Sequence, residues 1–414
     1  MRDLNLKYLA AALSGLAAYK AVMMFVMLPF EFLRVPFAVS VAFLVALLVV
    51  TMYLGPLGPL FIRQNLERIG LVNRYGESPV PVRLQQSKKV KNGIVLELEN
   101  RNIPREVWEE KRSELEAALN IFIVSIKAGK NRRRVIIEAV PADEGIPDCI
   151  PWDDKYLLKD DTSICLGIGL TGLIVKQLDK VPHTLIGGST GSGKSVLARA
   201  FMYQCLRKNM TVCCVDFKGG LDFFKFQQHP YFRLLTTPEE LLACLKEYIG
   251  ELENRKQILL RDDCANLSEY NSKHPEHQHR RVLFAVDELA EVMDKTGRSR
   301  EEKALIDEIT GYLAQLARQG RAVGLHLLLS QQRPDADVLP GQIKSNIDTR
   351  ICGRSDQTLS TIILGNGDGH ELIPKDSQGL FLANGTDTDE LAMFRGFWFD
   401  PAAIPRESWK VREV

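Results

Sequence analysis

The segment Gly188-Ser-Thr-Gly-Ser-Gly-Lys-Ser195 has the residue types and spacing of a phosphate-binding loop, G-x-x-x-x-G-K-[ST]. An apolar strand is predicted before it and a helix after it, a context that disfavours the alternative of a structural glycine turn. In such a loop, main-chain N–H groups surround the β-phosphate, the lysine reaches the β- and γ-phosphate oxygens, and the serine ligates Mg²⁺. The sequence therefore predicts binding of ATP with Mg²⁺ by Gly188, Ser189, Thr190, Gly191, Ser192, Gly193, Lys194, Ser195 and Val196.

Two acids follow a second apolar run, Val282–Val286. Taken alone, Asp287 and Glu288 would be typical of a solvated turn, but a phosphate-binding loop upstream favours a catalytic pair. Hydrolysis of a phosphoanhydride needs charge neutralisation and a positioned water more than covalent chemistry. We therefore predict that Asp287 contributes to the Mg²⁺ site and that Glu288 polarises the attacking water, with Lys194 completing the catalytic group.

Polar residues also end two other apolar strands, 212–216 and 325–330. Ligands of open α/β sheets bind at the carboxyl ends of the strands. We expect Gln332 to sense the γ-phosphate and Asp216 to anchor a loop or a water near the nucleotide. The alternative for each is a capping or turn residue.

The elements that must position these residues follow an α/β pattern. Between about 160 and 400, strands alternate with helices, which predicts a parallel sheet covered on both faces. The expected helices include 237–249, 250–262 and 300–320. Before this region, residues 91–139 predict a small α/β unit, with a helix that opens at Pro104, and residues 63–90 predict a polar connector.

The N-terminal region is strongly apolar. Residues 35–62 contain no charged residue, and residues 8–30 contain only Lys20. Each run is long enough for a transmembrane helix, and one lysine is tolerable in such a span; a first segment lying in the membrane interface is the alternative. Basic residues flank the two runs, so the remaining chain is expected in the cytoplasm and the protein in the cell membrane as a multi-pass protein.

The charge distribution is uneven although the net charge is only +1. Residues 61–135 carry 16 Lys and Arg against 9 Asp and Glu. Such a segment is attracted to anionic lipid headgroups or to DNA, and charge alone does not choose between them. The 8 cysteines form no C-x-x-C pair, which indicates reduced thiols of a cytoplasmic protein.

Residues 91–400 resemble the FtsK/SpoIIIE DNA-pumping ATPases. The resemblance goes beyond the phosphate-binding loop, and its blocks are 181–196, 252–256, 266–271, 286–291, 321–334, 337–338 and 343–347. It implies a RecA-like P-loop motor, a small α/β ring-base domain before it, and a hexameric homo-oligomer threaded by DNA. The expected domains are a two-helix membrane anchor over 1–62, a connector and ring-base domain over 63–150, and the motor over 151–414.

The same resemblance implies roles for basic residues. Arg321 matches the arginine that reaches the nucleotide of the neighbouring subunit, and Arg318 is the nearby substitute. Arg333 and Lys344 match channel-facing positions that bind DNA phosphates without reading bases; ordinary surface charge is the alternative for both. The segment 355–361 departs from the pattern, because it lacks the basic residues expected on a second channel loop.

We expect a short, membrane-tethered motor with no winged-helix reading domain after it. Such a protein is most similar to the coupling ATPases of conjugative plasmids and integrative elements. Such proteins bring DNA with its relaxase to a conjugation channel. A septal or chromosome-segregating pump for double-stranded DNA and a type VII-like protein secretion ATPase are alternatives. A structural membrane anchor with an inactive ATPase is a further alternative. The intact phosphate-binding loop and acid pair argue against it.

Overall fold

The computed structural model describes residues 57–75, 78–90, 93–142, 145–332, 339–387 and 391–411. The chain divides into two compact units, Met1–Asp143 and Glu144–Val414. The predicted membrane spans, 8–30 and 35–62, lie outside the described residues except for 57–62. Among the helices that are described, none combines the length and the hydropathy that a membrane crossing requires.

The first unit contains an antiparallel sheet packed against helices. Its described elements are α1 (Pro59–Arg68), β1 (Val72–Tyr75), β2 (Ser78–Pro81), β3 (Arg83–Val90), β4 (Gly93–Glu99), α2 (Arg105–Glu110), α3 (Arg112–Leu119), β5 (Ile121–Ala128) and β6 (Arg134–Pro141). Strands β3 to β6 form a four-stranded sheet in the order β3-β4-β6-β5, and β1 pairs with β2.

The segment expected to be a connector is part of this unit. Helix α1 has Pro59 in its first turn, where the missing N–H costs no hydrogen bond, and it buries Ile62 and Leu66 in the core of the unit. Strand β3 pairs with β4 along its length. The helix predicted from Pro104 is two helices, separated at Lys111, and together they bury Trp108, Leu115 and Leu119.

The second unit is mixed α/β. Its described helices and strands are β7 (Ser163–Gly169), β8 (Gly172–Gln177), β9 (Thr184–Gly187), α4 (Lys194–Arg207), β10 (Thr211–Val215), β11 (Phe232–Leu235), α5 (Pro238–Arg261), α6 (Leu267–Lys273), β12 (Val282–Val286), α7 (Leu289–Met293), α8 (Arg300–Val323), β13 (Leu325–Gln331), α9 (Gly341–Lys344), β14 (Thr349–Cys352), α10 (Gln357–Leu364), α11 (Asp368–Glu371), β15 (Leu380–Asn384) and β16 (Ala392–Gly396).

Its sheet has ten strands in the order β11-β10-β12-β13-β9-β14-β15-β16-β7-β8. The six strands from β11 to β14 are parallel, as the sequence predicts. The other four are antiparallel, so the prediction of a parallel sheet holds only for the part that carries the candidate site. Strand β12 is buried on both faces, because separate apolar clusters cover its two sides.

One long helix, α5, replaces the two helices expected at 237–249 and 250–262. Thr237 and Glu240 form a capping box at its start. Gly250 does not break the helix, since an internal glycine costs only about 1 kcal/mol. The buried residues Leu245, Leu252 and Leu259 continue the apolar stripe past it. Helix α8 packs against α5 and ends at Gly324, whose φ of 74° suits a left-handed terminus.

Candidate nucleotide-binding and catalytic site

The carboxyl ends of the parallel strands bring the predicted polar residues to one edge of the sheet. Gly187, at the end of β9, lies opposite Gln331 of β13 and Cys352 of β14. Val286, at the end of β12, lies opposite Val215 of β10 and Leu329 of β13. The residues that follow these strands, Gly188, Asp216, Asp287 and Gln332, therefore share the catalytic edge that the sequence predicts.

The phosphate-binding loop has a backbone that requires glycine. Gly188 and Gly193 have φ values of 153° and 101°, and a Cβ on Gly188 would lie 2.6 Å from Ser192 Oγ. Gly193 caps α4 without offering a side-chain acceptor, so the first N–H groups of this helix can bind an anion. Ser192 Oγ is buried and has no hydrogen-bond partner among the described residues. This cradle of donors fits the phosphates of ATP.

Lys194 lies inside the loop and is only 4% exposed. Its Nζ donates to Gly188 O at 2.7 Å. Burial lowers the pKa of Lys194 to about 8, although the carboxylates of Glu288 and Asp287 act in the opposite direction. A polyanion in the loop would offset the cost of this buried charge.

Ser195 and Asp287 present two side-chain oxygen atoms that could hold Mg²⁺. Ser195 Oγ donates to Asp287 Oδ1 at 3.4 Å. Burial and the neighbouring Asp216 raise the pKa of Asp287, a destabilisation of its charge that a cation would relieve. No cluster of three or more His, Cys, Asp or Glu side chains able to hold a metal occurs within the described ranges.

Glu288 and Gln332 are linked to the phosphate-binding loop through hydrogen bonds. The Gln332 main-chain N–H donates to Glu288 Oε1 at 3.3 Å, and Thr190 Oγ1 donates to Gln332 Oε1 at 3.2 Å. Glu288 is nearly buried, and burial raises its pKa. The Glu288 carboxylate, whose pKa is raised, therefore lies beside the loop as a better proton acceptor. A hydrogen bond joins it to Gln332, the residue predicted to sense the γ-phosphate.

Asp216 anchors a loop, one of the two roles expected for it. Its Oδ1 accepts the Lys218 N–H at 2.9 Å. Lys218 itself was not singled out in the sequence, because it follows no motif. Its Nζ pairs with Glu291 Oε1 at 3.1 Å, and its charge lowers the pKa of both Asp287 and Glu288. It therefore adds positive charge to the catalytic edge.

A cavity of about 420 Å³ adjoins the phosphate-binding loop. Trp398, which is about half exposed, is one of its lining residues. Its walls come from residues far apart in the sequence, so no local pattern announces it; they include Gly193, Val196, Gly379, Arg395 and Phe397.

Comparison with known proteins identifies the family. A model of the FtsK/SpoIIIE family matches residues 159–336. The pCW3 conjugation coupling protein TcpA, solved in its monomer form with ATPγS, is 34% identical over 84% of this chain and 98% of that chain, with a TM-score of 0.62. This chain belongs to the FtsK/SpoIIIE family. Its site is that of a P-loop ATPase.

Other members and neighbours of this family resemble parts of the chain. The DNA translocase FtsK of Campylobacter jejuni is 30% identical over 240 residues, which cover 56% of this chain and 24% of that protein. FtsK of Staphylococcus epidermidis is 29% identical over 254 residues, covering 57% and 30%. The chain thus spans less than a third of these curated relatives. ATPases 2 and 3 of EssC from Geobacillus thermodenitrificans share the fold, at 16% identity, a TM-score of 0.52 and coverage of 64% and 51%.

Arg321 and Arg318, for which the FtsK/SpoIIIE resemblance implies a role at a neighbouring nucleotide, lie near the end of α8, away from this chain's own phosphate-binding loop. Arg321 is exposed near the end of α8, and its Nε donates to Asp179 O at 3.0 Å. Asp179 precedes β9 and Arg321 precedes β13, so both lie at the amino edge of the sheet, opposite the phosphate-binding loop. Arg318, on the same helix, contacts Gln342.

Of the two predicted DNA contacts, Lys344 lies within the described residues. Lys344 ends α9 and is half-buried; burial lowers its pKa, and the nearby Arg350 adds to the effect. Arg333 falls outside the described residues, so its prediction rests on the sequence.

Proposed function

We propose that the chain is a membrane-anchored, ATP-driven DNA translocase that acts as the coupling protein of a mobile element. In this role it delivers DNA, with a relaxase, to a conjugation channel. The observation that carries the proposal is the 34% identity over 98% of a conjugation coupling protein. The contacts of Lys194, of Ser195 with Asp287, and of Glu288 at one edge of the sheet support it.

In the proposed ATPase cycle, the main-chain donors of the loop and Lys194 bind the phosphates. Ser195 and Asp287 hold Mg²⁺, which neutralises phosphate charge. Glu288 takes up a proton from the water that it orients, and Gln332 keeps this carboxylate aligned with the loop. The adenine ring occupies the cavity beside Gly193, where Trp398 offers an aromatic surface.

The ATPase is proposed to act as a homo-oligomeric ring, hexameric as in the family resemblance. Support comes from Arg321, which is exposed at the edge of the sheet remote from its own phosphate-binding loop. A cation supplied by a neighbouring copy would stabilise charge in the transition state and would couple hydrolysis to subunit movement. In the proposed ring, the DNA passes through the central opening.

The DNA is proposed to contact Arg333 and Lys344 through its phosphates, without base reading. Residues 1–62 are proposed to anchor the protein as two transmembrane helices, with the motor in the cytoplasm. Both proposals rest on the sequence.

The deciding experiment measures ATP hydrolysis by the purified full chain with single-stranded DNA, double-stranded DNA, or no DNA. DNA stimulation supports a DNA motor. Its absence with every polynucleotide, together with stimulation by an exported protein, would instead assign a secretion ATPase. Co-purification with a relaxase distinguishes conjugation from the second candidate, a chromosome-segregating pump of double-stranded DNA, which the 30% identity to FtsK favours.

A further inference from the structure

Arg354 contacts the phosphate-binding loop through both its main chain and its side chain. It lies two residues after β14, and β14 pairs directly with β9, the strand that leads into the loop. Arg354 O accepts the Ser189 N–H at 2.7 Å. Its Nη2 donates to Thr190 O at 2.9 Å and its Nη1 to Lys375 O at 2.6 Å. The guanidinium is thereby fixed at the bend of the loop.

Among the described residues, no carboxylate neutralises the charge of the Arg354 guanidinium. Both of its hydrogen-bond acceptors are main-chain carbonyls, and no ion pair to it occurs in the described part of the chain. A guanidinium has five N–H donors, so donors remain after these two bonds. The side chain is half-buried, which strengthens its interaction with a neighbouring anion. A fixed, uncompensated cation with free donors is suited to a phosphate.

The position of Thr190 indicates which phosphate of ATP the Arg354 side chain would contact. Thr190 Oγ1 contacts Gln332, and Gln332 contacts Glu288, the residue that acts on the water attacking the terminal phosphate. In the proposed site, Thr190 therefore lies on the side of the loop that the terminal phosphate would occupy. Arg354 approaches the loop at this same residue, and a Cβ on Gly191 would lie 3.4 Å from its Nη2.

We propose that Arg354 recognises the terminal phosphate of ATP from within the same chain and distinguishes ATP from ADP. Arg354 holds the bend of the loop through the two carbonyls and turns its remaining donors to the γ-phosphate. It differs from Arg321, which the proposed function assigns to the nucleotide of a neighbouring copy. This role rests on the nucleotide site of the proposed function and does not depend on DNA transport.

The test is calorimetric titration of the full chain with ATPγS and with ADP, in the presence of Mg²⁺ and without DNA. Arg354→Ala is expected to weaken ATPγS binding by about tenfold, the effect of one charge-assisted hydrogen bond, and to change ADP binding by less than about twofold. Arg354→Lys is expected to recover part of the ATPγS affinity, because it restores the charge without the two-carbonyl contact.

Arg350, in β14 and four residues before Arg354, provides a matched control. It too donates to two main-chain carbonyls, those of Ile347 and Lys344, but it contacts no residue of the phosphate-binding loop. Arg350→Ala is expected to leave both affinities unchanged.

Equal weakening of ATPγS and ADP by Arg354→Ala would reduce Arg354 to a clamp on the loop and overturn the proposal. Unchanged affinity for both nucleotides would also overturn it, and reduced binding of DNA alone would instead assign the residue to the DNA path. A lack of DNA stimulation, in contrast, would contradict only the proposed transport.

Discussion

Burial acts in opposite directions on the two central charges of the site. It lowers the pKa of Lys194 and raises the pKa of Glu288, so each ionised form is destabilised before nucleotide binds. For Lys194, a bound triphosphate removes this cost. For Glu288, a higher pKa makes the carboxylate a better proton acceptor. The pKa values of Lys194 and Glu288 are thus set by burial as well as by residue type.

Nucleotide affinity is expected to fall at alkaline pH. The pKa of Lys194 is about 8 in the nucleotide-free chain, and the phosphates bind its protonated form. Below that pH the lysine is already charged and affinity is constant. Above it, binding requires uptake of a proton, so affinity falls by up to about tenfold per pH unit. The dissociation constant of ATPγS measured between pH 7 and 9.5, with the melting temperature recorded at each pH, tests this; a constant value would contradict it.

Replacement of Glu288 by glutamine is expected to separate binding from hydrolysis. The amide keeps the shape and an oxygen for the Gln332 N–H but cannot accept the proton of water. Steady-state turnover should fall by about 100-fold or more, with ATP affinity near that of the wild type. Lys194→Ala should lose hydrolysis together with affinity. Glu301→Gln, an exposed change in the first turn of α8, is the control and should retain full turnover.

Among the elements, helix α8 places Arg321 at the amino edge of the sheet, away from the phosphate-binding loop of the same chain. The helix is held along its length by α5, and Arg321 is fixed near its end by Asp179 O. Because helix and sheet are both rigid, this side chain cannot reach the loop at the other edge of the same sheet. A role in hydrolysis therefore requires a second copy.

Arg321→Ala is expected to reduce turnover by tenfold or more while ATP affinity changes little. Arg300→Ala, at an exposed arginine in the first turn of α8, is the matched control and should retain full turnover. A mixture of Arg321→Ala and Glu288→Gln chains gives the sharper result. In mixed rings, the intact Arg321 of one variant can serve the intact site of the other, so the mixture should exceed the sum of the separate activities. Wild-type turnover in Arg321→Ala would remove this residue from the site.

The elements before the phosphate-binding loop are joined by a buried lysine. Lys176 of β8 donates to Val181 O at 2.5 Å, to His183 O at 3.2 Å and to Thr349 Oγ1 of β14 at 2.7 Å. Complete burial lowers its pKa to about 7. The unfolded chain, with an ordinary lysine, therefore binds more protons than the folded chain between about pH 7 and 10.

The Lys176 contribution to stability should consequently rise with pH across that interval, by up to about 1.4 kcal/mol per pH unit, and be lost as pH falls towards 7. Lys176→Met removes the titration and keeps most of the side-chain volume. The difference in melting temperature between wild type and variant, measured from pH 7 to 9.5, should shift in favour of the wild type as pH rises. A difference independent of pH would show that the lysine does not titrate in the folded chain.

For the whole molecule, the two groups of charged residues needed for the proposed cycle lie at opposite edges of one sheet. Lys194, Glu288 and Arg354 follow the carboxyl ends of strands, and Arg321 precedes the amino end of β13. In the proposed cycle, a single copy therefore lacks one charged group of a working site, which a neighbouring copy would supply. We expect the specific ATPase activity of the full chain to rise with protein concentration until assembly is complete. Activity proportional to concentration throughout, with a monomer in light scattering, would contradict a shared site.

The sequence alone was sufficient for the parts of the site that are contiguous in the chain. The spacing of Gly188, Lys194 and Ser195 fixes both a backbone path and its chemistry, and an acid pair after a buried strand is similarly local. Parallel strands all present their carboxyl ends at one edge, so the gathering of Asp216, Asp287 and Gln332 also followed from the strand pattern.

Features that depend on which elements become neighbours could not be read from the sequence. Arg354 belongs to the site only because β14 pairs with β9, and nothing in its local sequence shows that pairing. Gly250 is compatible with either a helix break or its continuation, and packing against α8 favours continuation. The segment predicted as a connector folds because β4 provides a partner for β3. Local sequence determined the chemistry of the phosphate-binding loop. The tertiary structure decided which distant charges surround it, because strand pairing and burial are non-local.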